Sequence, residues 1–193
     1  MAFTSAWPQR SDKARSLEAY VLPRVVDVLP GRGGRVIALL VGDYGPVACG
    51  QALARLDRRW DPSPPRADDP IELEAVVRAP TSGLVSRCWA TVGEAVGPTR
   101  PLLSIASSEE VLVVARFARG ALSRLRSGRP GLVAVVGSSR EASPARIETI
   151  VEAPDRGGVD RRVVDDGPVR VVLRLASAPV EALWPGRPAE VEV

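Results

Sequence analysis

A half-motif that occurs twice constrains this chain more than any other feature. The first copy runs from Gly34 to Asp57 and reads GRVIALLVGDYGPVACGQALARLD. The second runs from Gly83 to Ala106 and reads GLVSRCWATVGEAVGPTRPLLSIA. At a constant offset of 49 residues, Gly34 matches Gly83, Val36 matches Val85, Val47 matches Val96, Leu53 matches Leu102 and Leu56 matches Ile105. Each copy offers a glycine turn, a short strand, a second glycine turn and another short strand. Two copies are too few for a solenoid, whose units need several stacked neighbours. They suit two interlocking halves of one small β-sandwich.

Composition agrees with that reading. The 193 residues suffice for one large or two small domains. Valine is heavily used, and Gly 17 with Pro 18 means frequent turns and few long helices. Of the 26 basic residues 25 are arginine, and the one lysine is Lys13. A pI of 9.4 invites a nucleic-acid reading. The arginines are scattered, however, and aromatics at 4% leave little to stack on bases, so no nucleic-acid partner is expected.

The chain contains no histidine, which removes histidine triads, histidine metal sites and imidazole general bases together. Cys49 and Cys88 do not make a disulfide framework. They read as buried free thiols, with pairing left open. The carboxylate pairs Asp68-Asp69, Glu109-Glu110 and Asp165-Asp166 point to opposite faces in extended chain and read as solvated loop charge. Gly31-Arg32-Gly33-Gly34 lacks a following helix to cradle phosphate and reads as a turn. No metal site, cofactor or catalytic residue is expected.

Along the chain, residues 1–17 read as a polar, disordered tail with no apolar segment. Ala19 to Leu29 reads as a strand pair or one bent strand. The segment 58–70 (RRWDPSPPRADDP) holds four prolines and reads as a surface linker. Strands are expected at Arg35–Val41, Gln51–Leu56, Ile71–Arg78, Val111–Phe117, Leu132–Val136, Arg146–Val151, Val169–Leu175 and Pro188–Val193. The best helix candidate is Ala118–Ser127, with Leu122 and Leu125 facing inward and Gly128 ending it. A domain break is expected near Ser107 to Glu110. Asp155–Gly167 reads as a loop or hairpin tip.

The order of these pieces resembles the membrane-fusion, or periplasmic adaptor, family of HlyD and EmrA type. Glu18-Ala19-Tyr20-Val21 resembles the start of the family's first half. Gly34-Arg35-Val36, Asp43, Val47, Gly50-Gln51 and Leu53 to Asp57 resemble its first glycine-turn motif. Val77-Arg78-Ala79-Pro80, Gly83 and Val85 resemble the opening of the second half, and Gly93, Val96 and Leu102 follow in register. Val114-Ala115-Arg116-Phe117, Leu125, Gly128 and Pro130 resemble the start of the family's barrel. Pro168-Val169-Arg170-Val171 and Gly186 resemble its closing strands.

The resemblance spans residues 18 to 193 and implies an all-β fold: a lipoyl-like barrel-sandwich hybrid, then a small β-barrel with one short helix. The halves of the first domain would be 18–57 and 71–108, and the barrel 109–193. The family inserts a long α-helical hairpin between the halves and usually carries an N-terminal membrane helix. Here 58–70 stands in the hairpin's place and only the polar tail precedes Glu18. A lipoyl or biotinyl carrier would need a lysine between the halves, and Lys13 is not there.

The resemblance implies a non-catalytic adaptor or scaffold of an export system. Its partners would be an inner-membrane transporter or further copies of itself, and its place the cell envelope. If the N-terminus shown is native, a cytoplasmic location follows instead. The competing expectation is a soluble small-molecule-binding protein or cofactor-free enzyme, such as a cyclase. It would use an apolar pocket at the domain junction for a small hydrophobic ligand, lined by Tyr20, Tyr44, Glu72 or Glu74 with tryptophan. Trp89 reads as core. Trp60 and Trp184 read as contact or barrel-capping residues. Arg119, Arg124 and Arg126 form a candidate basic patch.

Overall fold

A glycine at the head of each half-motif sets the geometry of the lipoyl-like unit. The computed structural model describes residues 13–61, 73–138, 142–151 and 168–193. The chain divides into two compact units. One is Arg24–Glu109; the other joins Glu110–Val193 to the N-terminal segment up to Pro23. Both are built of strands. One 15-residue strand, Leu103–Phe117, runs through the boundary between the two units.

Within Arg24–Glu109 the strands are the C-terminal part of β1 (Glu18–Val28), then β2 (Gly34–Leu39), β3 (Pro46–Val47), β4 (Ala52–Asp57), β5 (Glu74–Arg78), β6 (Gly83–Cys88), β7 (Ala95–Val96) and the start of β8 (Leu103–Phe117). One sheet has the order β5-β4-β2-β7, and the other places β6 between β8 and β3. The halves exchange strands: β2 of the first pairs with β7 of the second, and β6 of the second pairs with β3 of the first.

The exchange is symmetric to the single residue. Gly34 pairs with Val96, and Gly83 with Val47. Tyr44 N–H donates to Val85 O and Gly93 N–H to Val36 O, each at 2.8 Å. The β2–β4 ladder shifts register between Val36 and Ala38, and β6–β8 between Val85 and Arg87. The apolar residues that match across the repeat all lie in the core: Val36 with Val85, Val47 with Val96, Leu53 with Leu102 and Leu56 with Ile105. Burying each such side chain stabilises by about 1.5–3 kcal/mol.

The bulges explain one correction. Trp89, expected in the core, is 42% exposed. The extra residue at the Val85–Arg87 bulge reverses the alternation beyond it, so that Val85 and then Cys88 and Ala90 pack on the core. Arg87 and Trp89 therefore face outward.

The symmetry also exposes one strained residue. Gly93 turns with φ of 90°, and its counterpart Tyr44 adopts φ of 64°, the left-handed region. A side chain there costs roughly 1–2 kcal/mol relative to glycine. Tyr44→Gly is expected to leave stability unchanged or raise it by up to about 1 kcal/mol, whereas Gly93→Ala lowers it by about 1 kcal/mol. Thermal denaturation of the two variants checks the difference.

The second unit is a five-stranded sheet of order β12-β9-β10-β11-β8, using β9 (Pro130–Val135), β10 (Ser143–Val151), β11 (Val169–Leu175), β12 (Ala189–Glu192) and the end of β8. All its neighbours are antiparallel. Inward side chains include Val113, Phe117, Ile147, Val171, Leu173 and Val191. The N-terminal segment joins the two outer strands. Ala14 N–H donates to Val193 O and Ser16 N–H to Val191 O, each at 2.9 Å, while Leu17 N–H reaches Arg116 O of β8 at 2.7 Å.

Residues 13–17, expected from the sequence to be tail, are thus part of the barrel. Their polar composition conceals it, because the pairing uses backbone groups. Ala19–Leu29 is one strand, β1, with Pro23 inside it. The expected helix Ala118–Ser127 is a six-residue 3-10 segment, Arg119–Arg124, with no side chain capping its start. Leu125 is buried as expected, while Leu122 is only half-buried. Further short 3-10 segments span Arg58–Trp60 and Val180–Leu183.

Candidate interaction surfaces

Three surfaces carry the side chains of interest. The first lies where the two lipoyl-like halves are joined. Strand β4 ends in Asp57, whose carboxylate caps the 3-10 segment by accepting the Arg59 N–H at 3.0 Å. The Arg59 guanidinium also grips Asp57 through Nε and Nη2, at 2.9–3.2 Å. Trp60, 54% exposed, lies beneath the Arg35 guanidinium, 3.9 Å from the ring centre. Such an exposed cation–π contact contributes about 0.5–1 kcal/mol. Arg32 bonds Asp61 at 3.4 Å, and Arg55 of β4 pairs with Glu74 of β5 at 2.7 Å. Trp60 is therefore held flat on an arginine-rich surface. Glu72 and residues 62–70 lie outside the described residues.

The side-chain hydrogen bond from Arg59 holds the Asp57 carboxyl below its ordinary range, with the backbone bond and the charges of Arg59 and Arg35 adding to it. A lowered carboxyl binds fewer protons in the folded than in the unfolded state. Its contribution is complete above the unfolded value of about 3.9 and is lost as pH falls through the folded value. Arg59→Ala is therefore expected to flatten the loss of stability below about pH 4 and leave it nearly unchanged at neutral pH. Acid titration of the melting temperature reads this directly.

The second surface surrounds the end of β6. The Arg87 guanidinium lies 4.2 Å above the Trp89 ring. The indole Nε1–H donates to Ser104 Oγ at 2.7 Å, and Ser104 Oγ–H donates to Asp27 Oδ1 at 2.5 Å. This chain of bonds fixes the orientation of an exposed aromatic plate. Beside it, the Cys88 N–H donates to Asp43 Oδ1 at 2.6 Å. Sequence reasoning missed this group. The signal was the Arg-x-Trp spacing, which places both side chains on one strand face.

Cys49 and Cys88 are free thiols, and Cys49 is exposed, contrary to the buried expectation. Burial, aided by the neighbouring Asp43 carboxylate, pushes the Cys88 thiol up to about 11. Cys88 therefore carries almost no thiolate near neutrality. Iodoacetamide at about pH 8 is expected to alkylate Cys49 at least ~10-fold faster than Cys88, as peptide mass spectrometry would show.

The third surface belongs to the barrel. Tyr20 of β1 bridges Pro188, and Val21 exchanges backbone bonds with Gly186 and Arg187, so β1 runs beside the loop that carries Trp184. Both aromatics are 38% exposed. Arg124 and Arg126 are exposed and Arg119 is half-buried around the 3-10 segment. Tyr44, Trp60 and Glu74 lie on the lipoyl-like unit, and Tyr20, Trp184 and the three arginines on the barrel unit. Among the described residues no three His, Cys, Asp or Glu side chains gather as metal ligands, and no helix is long and apolar enough to cross a membrane.

Comparison with solved structures places this architecture. The periplasmic adaptor protein EmrA superposes with a TM-score of 0.65 at 10% identity, covering 95% of this chain and 99% of that one. The fold is that of a periplasmic adaptor. ZneB from Cupriavidus metallidurans gives 0.57 at 17% identity, covering 93% and 98%. A MacA–MexA chimera carrying the Pseudomonas aeruginosa MexA α-hairpin domain gives 0.56 at 13% identity, covering 93% and 80%. No protein-family profile matches the sequence, and no curated protein sequence does. At these identities it is the arrangement of strands that is shared, in keeping with the repeated glycine turns and the trailing barrel strands.

Proposed function

We propose that this protein is a non-catalytic adaptor of a membrane export system, a compact adaptor core without a helical hairpin. The observation that supports it is a complete pair of lipoyl-like halves followed by a barrel, in adaptor order, over 95% of the chain. Between Asp57 and Ile71 stand 13 residues, four of them proline. At 1.5 Å per residue, two antiparallel helices from so short a segment would reach less than about 10 Å. A tip contact with a distant channel is then out of reach. The work of such a protein lies in its β-surfaces, against an inner-membrane transporter or further copies of itself. Exposed, rigidly held aromatics such as Trp60 and Trp89 suit that role, because little side-chain entropy is lost when a fixed ring is covered.

This reading places the protein in the cell envelope, held by its partner. The solved neighbours lend no support to a cytoplasmic role. The test is fractionation of the tagged protein in its native host, followed by an alkaline wash of the membranes. Recovery in the membrane fraction and release by the wash are expected. A protein found wholly in the cytosol would overturn the proposal.

A further inference from the structure

One buried carboxylate oxygen in the barrel unit has no hydrogen-bond partner among the described residues. Glu192, on β12, is 3% exposed. Its Oε1 pairs with the Lys13 ammonium at 2.9 Å. Its Oε2 is buried and has no hydrogen-bond partner among the described residues. The position is unusual for the strand. Glu190, two residues earlier and on the same side by alternation, is exposed, whereas Glu192 is turned inward. An orphaned acceptor of this kind costs about 1–3 kcal/mol, more when charged.

Glu192 and Lys13 line a pocket of about 420 Å³. Its walls are mostly apolar, from Pro130, Leu132, Pro144 and Ala176, and Arg146 stands among them. A few hundred cubic ångströms of apolar wall with a small number of placed polar groups is the ordinary form of a small-molecule site.

We propose that this pocket binds a small neutral molecule with an apolar body and one hydroxyl or amide hydrogen-bond donor, the donor meeting the Glu192 carboxylate as its closed-off Oε2 turns toward the pocket. Charge decides the class of ligand. Lys13 already neutralises Glu192, and Arg146 adds a further positive charge. A cationic ligand would meet two like charges, so a neutral donor is the better match. A neutral O–H or N–H gives the orphaned oxygen a charge-assisted bond without a second ammonium. The apolar body covers Pro130, Leu132 and Pro144. The site lies within the barrel unit and stands or falls independently of the adaptor reading.

Calorimetric titration of the full chain with 4-propylphenol tests the site, with 4-propylanisole as the matched compound lacking the donor. The phenol is expected to bind with a Kd below ~1 mM, and the anisole at least ~10-fold more weakly, the worth of one good hydrogen bond. Glu192→Gln keeps the side-chain volume but removes the charge. It is expected to weaken the phenol by about 5- to 10-fold and to narrow its advantage over the anisole. Ala176→Trp fills the pocket from an exposed position, without disturbing the core, and should abolish binding of both compounds. No phenol binding, equal affinity for phenol and anisole, or undiminished binding in Ala176→Trp would each overturn the proposal. Undiminished binding in a folded Glu192→Gln protein would do the same.

Discussion

Gly83→Ala is expected to be the most damaging single methyl addition to this protein. A Cβ built on Gly83 would lie 2.1 Å from the Ala106 carbonyl oxygen and 3.0 Å from Ile105 Cγ2. The first contact is with backbone, so relief requires the β6 and β8 chains to move apart. Their ladder from Gly83–Ser107 to Cys88–Leu103 would have to open at its first rung. Overpacking a well-formed interior costs about 1–3 kcal/mol and sometimes more, and a backbone clash of this depth belongs at or above the top of that range. A loss of about 3 kcal/mol or more is therefore expected, enough to unfold a large share of a marginally stable chain. The symmetric substitution is the internal control. At Gly34 the nearest atom is the Asp57 carbonyl oxygen at 2.9 Å. Gly34→Ala should cost clearly less, about 1–2 kcal/mol. Urea denaturation of both variants settles the order, and equal losses would contradict this account.

Leu53→Ala and Leu102→Ala form the second pair. Both side chains are 0% exposed, and they occupy the same place in the two halves. Their strands are tied in the same way: Leu40 N–H donates to Leu53 O and Trp89 N–H donates to Leu102 O, at 2.8 and 2.9 Å. Removing three buried carbons from a leucine costs about 2–5 kcal/mol, set by how far the neighbours collapse. Each variant is expected to lose about 3 kcal/mol, and the two losses to agree within about 1 kcal/mol, because the environments are related by the repeat. Both residues belong to one core. The double variant is therefore expected to depart from simple addition by at least ~0.5 kcal/mol, as coupled sites do. Chemical denaturation of the single and double variants reads all three quantities.

Much of the fold is legible in the sequence because the repeat carries its own geometry. A glycine fits where two backbones come within van der Waals contact, and a matched valine or leucine fits where both halves face one core. The matches of Gly34 with Gly83 and of Leu53 with Leu102 therefore point to paired strands by themselves. The barrel strands are legible for a different reason: short β-branched runs such as Val169–Leu175 alternate inward and outward with little competition from helix propensity.

The departures from expectation have equally local causes. Trp89 faces outward because a bulge changes the side on which later residues emerge, and a bulge leaves no residue signature at Val85–Arg87. Residues 13–17 look like tail because they join the barrel through backbone hydrogen bonds, which any polar residue can make. The helix expected at Ala118–Ser127 shortens because leucines at 122 and 125 fit one 3-10 turn as well as an α-turn.

The candidate surfaces are less legible than the fold. Tyr44, Trp60 and Trp184 stand out in the sequence as aromatics in turns, and each is exposed. What holds two of the surfaces rigid comes from far away in sequence. Arg35 reaches Trp60 across the β2–β4 ladder, in which Arg35 stands opposite Asp57. Asp27 and Ser104, 77 positions apart, combine to hold Trp89.

The sequence by itself determined the all-β class, the two interlocking halves and the lack of histidine chemistry. These follow from periodicity, glycine placement and composition, which are local or repeating properties. Only the tertiary structure decided that the N-terminal segment completes the barrel, that Trp89 faces outward, and that Glu192 is buried with an oxygen to spare. Each of these depends on which distant strand arrives opposite a given residue. Burial and hydrogen-bond satisfaction are properties of that partner as much as of the residue itself.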